Sequence, residues 1–303
     1  MKVLIGYDGS PGAEAALEDL RRAGLPAKVD ARVLSIAEVF LPQQAVPDQP
    51  ERAPDPSDPR FQALREASDL AERAKRTLLE MFPEWRVEAI ARADSPAWGI
   101  IKEADTWNPE LVVVGSEGRS RLGRFLLGSV SHKVLTESRA TVRVARARSG
   151  ADTLIRLLAG IDGSPGSDAA LATVLSRTWP PSTELLLLAV LDPRMSTGLI
   201  PSPFTHELWA GATLDEQKQW IEDILRKADE AGRGSGLATK SILEVGDPKE
   251  RLVEQAKEWG ADCIFVGARG LTGMDRFLLG SVSTAVAMRA PCSVEIVHGP
   301  AHH

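Results

Sequence analysis

GSEGRSRLGRFLLGS at Gly115–Ser129 returns as GARGLTGMDRFLLGS at Gly267–Ser281, with glycines kept at Gly115, Gly118 and Gly128 and again at Gly267, Gly270 and Gly280. Each copy follows a short apolar run, LVVVG or CIFVG, and leads into a segment of helical pattern. A glycine-rich turn from a strand into a helix start brings backbone amides against phosphate. Glycine permits both positive φ and close approach of main chain to an anion. The chain therefore reads as two copies of one nucleotide-binding unit, and internal duplication becomes its organising fact.

A second repeated motif agrees. VLIGYDGSPG ends at Gly12 and LLAGIDGSPG at Gly166, and the two motif pairs keep nearly the same separation along the chain. Two domains follow, 1–148 and 152–303, joined by a linker in RARSGAD. Each half alternates strand-length apolar runs with helical periods. Ser10 is a good N-cap with Pro11 at the first helical position, and Ser95-Pro96 repeats that signal. Asp247-Pro248 with Glu250 predicts a capping-box-like start. LVVV and LLLLAV are apolar on both sides, as buried parallel strands should be, so an α/β fold with a mainly parallel sheet covered on both faces is expected. Such sheets bind ligands beyond the carboxyl ends of their strands, where strand order reverses. Asp8 and Gly115 both fall at strand carboxyl ends, as do Asp162 and Gly267.

Composition bounds the rest. With 303 residues, 43% hydrophobic and 26% charged, the chain suits two globular domains. A net charge of −6 argues against nucleic acid as a general partner. No apolar run approaches the roughly 20 residues of a membrane span, and MKVLIGYDGS reads as a first strand and not as a signal peptide. Two cysteines, Cys263 and Cys292, exclude a disulfide framework or a cysteine-based zinc site and fit a reducing cytoplasm; they read as small buried apolar residues.

Together these motifs resemble the universal stress protein family, in its ATP-binding branch, arranged as a tandem. The family spacing is glycine, two residues, glycine, nine residues, then glycine with serine or threonine, and both halves match it. The resemblance implies two tandem, doubly wound, Rossmann-like five-stranded parallel sheets in order 3-2-1-4-5, of the adenine nucleotide alpha hydrolase type, paired through their last strands as an intramolecular pseudo-dimer. It implies that Asp8 and Asp162 meet the nucleoside, and that Ile36 and Val190 pack on adenine. Val114 and Val266 line the same pocket. Gly115, Gly118, Gly128 and Ser129, with Gly267, Gly270, Gly280 and Ser281, hold phosphate, and Val130 and Val282 follow at the helix starts. The implied ligand is ATP, ADP or AMP, with Mg²⁺ beside the phosphates, in a cytoplasmic stress-response protein able to form a homodimer.

Other readings of these residues remain open at this stage. Asp8 and Asp162 also suit turns, and Ser129 and Ser281 suit plain N-caps. Arg119, Arg121 and Arg124 either reach phosphate or face solvent. The proline-rich stretches Pro42–Pro59 and Pro193–Pro203 read as a lid, a partner surface or a passive insertion. The loops are unequal: Glu117 in the first copy faces Arg269 in the second, and Ser116 faces Ala268, so the second site is expected to bind nucleotide at least as well as the first. No Walker lysine, repeated histidine base or paired carboxylate points to rapid catalysis, which leaves a nucleotide sensor with at most slow hydrolysis. A nucleotide-independent interaction scaffold is the alternative. An ATP pyrophosphatase is disfavoured, because DGSPG lacks that enzyme's SGGxDS-type loop.

Overall fold

The computed structural model describes residues 1–38, 58–118, 127–148, 154–196, 213–270 and 279–299. β1 (Lys2–Gly6) is apolar through Val3, Leu4 and Ile5, all fully buried, as a central parallel strand requires. Ser10 caps α1 (Pro11–Asp19) by accepting from the Ala13 amide at 3.2 Å, and Pro11 opens the helix. Then come β2 (Asp30–Ala37), α2 (Pro59–Met81), β3 (Arg86–Ala93), α3 (Pro96–Trp107), β4 (Leu111–Gly115), α4 (Ser129–Glu137) and β5 (Thr141–Ala145). The second half runs β6 (Arg156–Gly160), α5 (Pro165–Ser176), β7 (Glu184–Leu191), α6 (Pro193–Ser196), α7 (Leu214–Gly234), β8 (Ala238–Val245), α8 (Pro248–Trp259), β9 (Cys263–Gly267), α9 (Ser281–Arg289) and β10 (Ser293–Val297).

The two long helices lie over the sheet on stripes spaced by three and four residues: Ala67, Ala71, Ala74 and Leu78 on α2, and Gln217, Ile221, Leu225 and Ala228 on α7. The capping box forms at α7, between Thr213 and Glu216. At α8 the expected box gives way to a simpler cap. Asp247 Oδ1 accepts from the Lys249 amide at 2.9 Å, while its Oδ2 is drawn to Arg194 at 2.9 Å. No helix among the described residues is long and apolar enough to cross a membrane.

All ten strands join one sheet, in order β3-β2-β1-β4-β5-β10-β9-β6-β7-β8. Each half keeps the order 3-2-1-4-5 and is parallel throughout. The halves meet where β5 and β10 pair antiparallel, with Val144 opposite Val294, Arg143 opposite Glu295 and Val142 opposite Ile296. Strand alternation gives this seam two different faces. On one, the four apolar residues enter a single core that runs from α3 and α4 across to α8 and α9. On the other, Arg143 and Glu295 are fully buried side by side.

That second face is an ionic chain. Arg143 Nε donates to Asp19 at 2.6 Å and its Nη1 to Glu295 at 3.1 Å, while both terminal nitrogens of Arg177 donate to Glu295. Burial opposes the Arg143 charge, but the carboxylates of Asp19 and Glu295 outweigh it and keep the guanidinium protonated. Removing one member of a buried ionic set strands the others without compensation, at about 3–5 kcal/mol. Arg143→Met is therefore expected to lower unfolding stability by about that amount in urea titration; stability equal to wild type would mean the ionic chain contributes nothing.

Candidate functional site

The site begins where main chain meets main chain. A β-carbon on Gly12, in the first turn of α1, would lie 2.0 Å from the Glu117 carbonyl oxygen, and one on Gly115 would lie 2.5 Å from the Gly12 carbonyl. The second half repeats this: Gly166 faces the Arg269 carbonyl at 2.0 Å, and Gly267 faces the Gly166 carbonyl carbon at 2.4 Å. Glycine is needed here for space. None of the six motif glycines has positive φ, so of the two uses that glycine permits they serve close approach; in the DGS turns the left-handed positions are Gly9 (φ 73°) and Gly163 (φ 75°), just after the aspartates.

Those turns aim the aspartates. Asp8 Oδ1 accepts from the Ser10 amide at 3.0 Å and Asp162 Oδ1 from the Ser164 amide at 2.9 Å. The other oxygen of each faces the loop glycine opposite, since a β-carbon on Gly270 would meet Asp162 Oδ2 at 2.5 Å and one on Gly118 would meet Asp8 Oδ2 at 3.5 Å. Each aspartate thus closes a turn with one carboxylate oxygen and presents the other to the loop glycine opposite.

The loop ends are tied by the backbone. Gly128 N donates to Ser116 O at 2.8 Å and Gly280 N to Ala268 O at 2.7 Å, while Ser116 N and Ala268 N donate to Ala145 O and Val297 O on the last strands. Gly128 and Gly280 are the N-caps, so Ser129 and Ser281 are first helical residues and not caps. The helical ladders start with His132 N to Gly128 O and Thr284 N to Gly280 O. The preceding amides, at Ser281, Val282 and Ser283 and their first-half equivalents, are the ones a helix leaves to its surroundings. Two serines that sequence reasoning missed hold these starts in place: Ser131 Oγ donates to Gly115 O at 2.5 Å and Ser283 Oγ to Gly267 O at 2.6 Å.

In the second half these pieces enclose one cavity. It is lined by every second-half residue singled out from the sequence: Asp162, Val190, Val266, Gly267, Gly270, Gly280, Ser281 and Val282. Its lining combines the glycine loop and the start of α9 with apolar Val190, Val266 and Leu252 from one face of the sheet and the α7 residues Trp220 and Ile221 from the other, Trp220 standing beside Gly163. In the first half, Gly115, Gly118 and Gly128 stand in the same relation to one another and to Asp8. Val114 packs against Gly6, and Ile36 against Gly99. Arg119, Arg121 and Arg124 and most of both proline-rich stretches lie outside the described residues.

A larger crevice of about 780 Å³ opens on the seam, lined in part by Glu110, Arg139, Thr173 and His298. No motif glycine lines it, so the smaller cavity is the candidate site. The crevice reflects a broken symmetry. Beyond the end of β5, Arg146 reaches across the seam to Cys292 O at 3.2 Å and also to Ala287 O, near the end of α9. His298 holds the matching place beyond β10, where its Nε2 is buried without a hydrogen-bond partner. The loop residues have changed with these partners, for Glu117 favours the Arg146 charge while Arg269 disfavours a charge on His298. Burial, then Arg269, lowers the His298 pKa from 6.5 to about 4. Burial likewise keeps the Cys263 thiol protonated and pushes Cys292 up to about 12. Among the described residues, no group of three or more His, Cys, Asp or Glu is gathered as for a metal ion.

Comparison with known proteins follows this geometry. The profile of the Universal stress protein family matches residues 1–146 and again 155–298. The chain belongs to the universal stress protein family, as a tandem. A universal stress protein of Mycolicibacterium smegmatis is 29% identical, over 97% of this chain and 96% of that one. The crystal structure of a universal stress protein from Archaeoglobus fulgidus shares the fold over 98% of both chains, at 22% identity and a TM-score of 0.62. A solved universal stress protein in complex with cAMP is 27% identical over 48% of this chain and 97% of its own, with a TM-score of 0.33.

The histidine gives a pH dependence with a definite sign. A folded pKa of about 4 against the ordinary 6.5 means the unfolded chain binds more protons between those values, so stability rises with pH across that window and falls on acidification. Between pH 7 and pH 5, His298 is expected to remove about 2 kcal/mol. His298→Gln should shrink the wild-type loss in urea midpoint by that share; an unchanged loss would show that the imidazole is not held neutral.

Proposed function

We propose that this tandem universal stress protein binds an adenine nucleotide, ATP or its hydrolysis products, in the second-half cavity and acts as a cytoplasmic stress-response sensor or regulator. The supporting observation is that one cavity is lined both by the glycine loop and the helix start at Ser281–Ser283 and by apolar Val190, Leu252 and Val266. A helix N-terminus carries roughly half a positive charge and unpaired N–H donors, which suit phosphate. The apolar residues suit a purine ring. The free side of Asp162 suits ribose hydroxyls. Arg269 lines the same cavity and adds a cation on the phosphate side. Mg²⁺ would arrive with the triphosphate and offset its charge. The described lining holds no histidine or lysine to act as a general base, which favours slow hydrolysis.

The first half has the same backbone but carries Glu117 where the second has Arg269. A carboxylate beside the loop opposes phosphate, and this favours a second reading for that half alone: a unit that maintains the seam without needing nucleotide. Binding at micromolar strength corresponds to about 8 kcal/mol, and saturation at a hundredfold excess over Kd would stabilise the fold by about 2.7 kcal/mol.

Calorimetry with ADP on the full chain tests both statements. A valine at Gly280 puts bulk beside a carbonyl at 3.2 Å, a hydroxyl at 3.5 Å and the Arg269 α-carbon at 3.6 Å, and at Gly128 the neighbours lie at 3.5 Å or beyond. Both variants are expected to fold. Gly280→Val should weaken the tight site by about 100-fold or more, as loss of several charge-assisted hydrogen bonds implies, while Gly128→Val leaves that site intact. No heat with the wild-type protein, or equal loss in both variants, would contradict the proposal.

A further inference from the structure

The second cavity contains a group with no part in the glycine motifs. Two residues beyond Val190, and lining the same cavity, Asp192 is only 4% exposed. Its carboxylate is held by one neighbour. Oδ1 accepts from the Arg194 amide at 2.9 Å and from Arg194 Nε at 2.8 Å; Oδ2 accepts from Arg194 Nη2 at 2.6 Å and shares Nε at 3.1 Å. Arg194 is itself anchored to Asp247 at 2.9 Å, at the start of α8. The Arg194 hydrogen bonds keep the carboxyl below its usual range, so it is ionised at neutral pH.

A carboxylate offers about four acceptor directions. Arg194 fills both of those on Oδ1 and one on Oδ2, and leans on the last only weakly through the shared Nε. Asp192 follows β7, whereas Arg269 and the α9 start follow β9, with β6 between the two strands, so a nucleotide with its phosphates at the glycine loop would bring its base edge to Asp192.

We propose that Asp192 reads the base, accepting on Oδ2 one hydrogen from an exocyclic amine and thereby selecting adenine among purines. This rests on the nucleotide reading of the cavity and adds to it a specificity residue. Guanine carries a carbonyl oxygen where adenine carries its exocyclic amine, and the ionised Asp192 carboxylate repels that oxygen. A purine without the amine leaves the buried charge facing a C–H. A hydrogen bond to a charged acceptor changes affinity by about tenfold or more.

The same carboxylate also caps α6 through the Arg194 amide, and a purely structural role must be separated from recognition. Asn caps a helix as well as Asp does, so Asp192→Asn keeps the cap and removes the charge. Calorimetry on the full chain would compare ADP with purine riboside diphosphate, the analogue lacking only the exocyclic amine, and with GDP. The wild-type protein is expected to prefer ADP over either by about tenfold or more, and Asp192→Asn to narrow the ADP-to-analogue ratio to about threefold or less. Equal binding of ADP and the analogue by the wild-type protein overturns the inference and leaves nucleotide binding standing. So does a ratio that Asp192→Asn does not change. Failure of the wild-type protein to bind any of the three overturns the nucleotide reading, and this inference with it.

Discussion

At two places in this protein a strand exit lies against a helix start with no side chain between them. Gly12 against Glu117 O, and Gly166 against Arg269 O, leave no room for a β-carbon. Much of the cleft follows from this contact. It fixes where the loop leaves β4 and β9, it sets the loop glycines facing Asp8 and Asp162, and it leaves the starts of α4 and α9 at the same rim. Hydroxyls at Ser131 and Ser283 then fasten those starts to the strand ends. Whatever occupies the rim meets main chain that is already in position, so little ordering cost is left to the moment of binding.

The duplication has diverged where the halves touch. On one face of the seam, valine and isoleucine continue a single core through both halves; on the other, Arg143, Glu295, Asp19 and Arg177 replace apolar packing with buried charge. A one-residue slip of β5 against β10 would send Arg143 into the apolar core and Val142 among carboxylates. The ion pair therefore sets the register of the joint. The exchange of Arg146 and Glu117 for His298 and Arg269 then sets a carboxylate in the first loop and a guanidinium in the second on one backbone plan.

Much of this was legible in the sequence because it is local. The repeated glycines, the DGS turns, the Ser10-Pro11 cap and the apolar strand runs each specify structure over a few residues, and the resemblance to a family supplied the strand order. Arg143 was not legible. In TVRVA a lone charge reads as the solvent side of an edge strand, and only Glu295, on the far half of the chain, makes it a core residue. Trp220 and Asp192 were missed for a related reason: periodicity tells which face of α7 is inward, but not which turn overlies the cleft. Asp192 follows an apolar run like any loop acid. Ser131 and Ser283 look like ordinary first-turn serines, and their bonds to Gly115 and Gly267 appear only once strand and helix are folded together. The sequence left open whether the motif glycines serve positive φ or close approach, and the folded backbone shows that the constraint is the absent β-carbon.

The central claim is that main-chain N–H groups of the second half hold phosphate. Hydrogen–deuterium exchange with and without ADP reads those groups directly. Exchange should slow in the peptides covering Gly267–Gly270 and Gly280–Ser283, while the matching first-half peptides change less. Protection confined to other regions, with those two segments exchanging at the same rate in both states, would contradict the account.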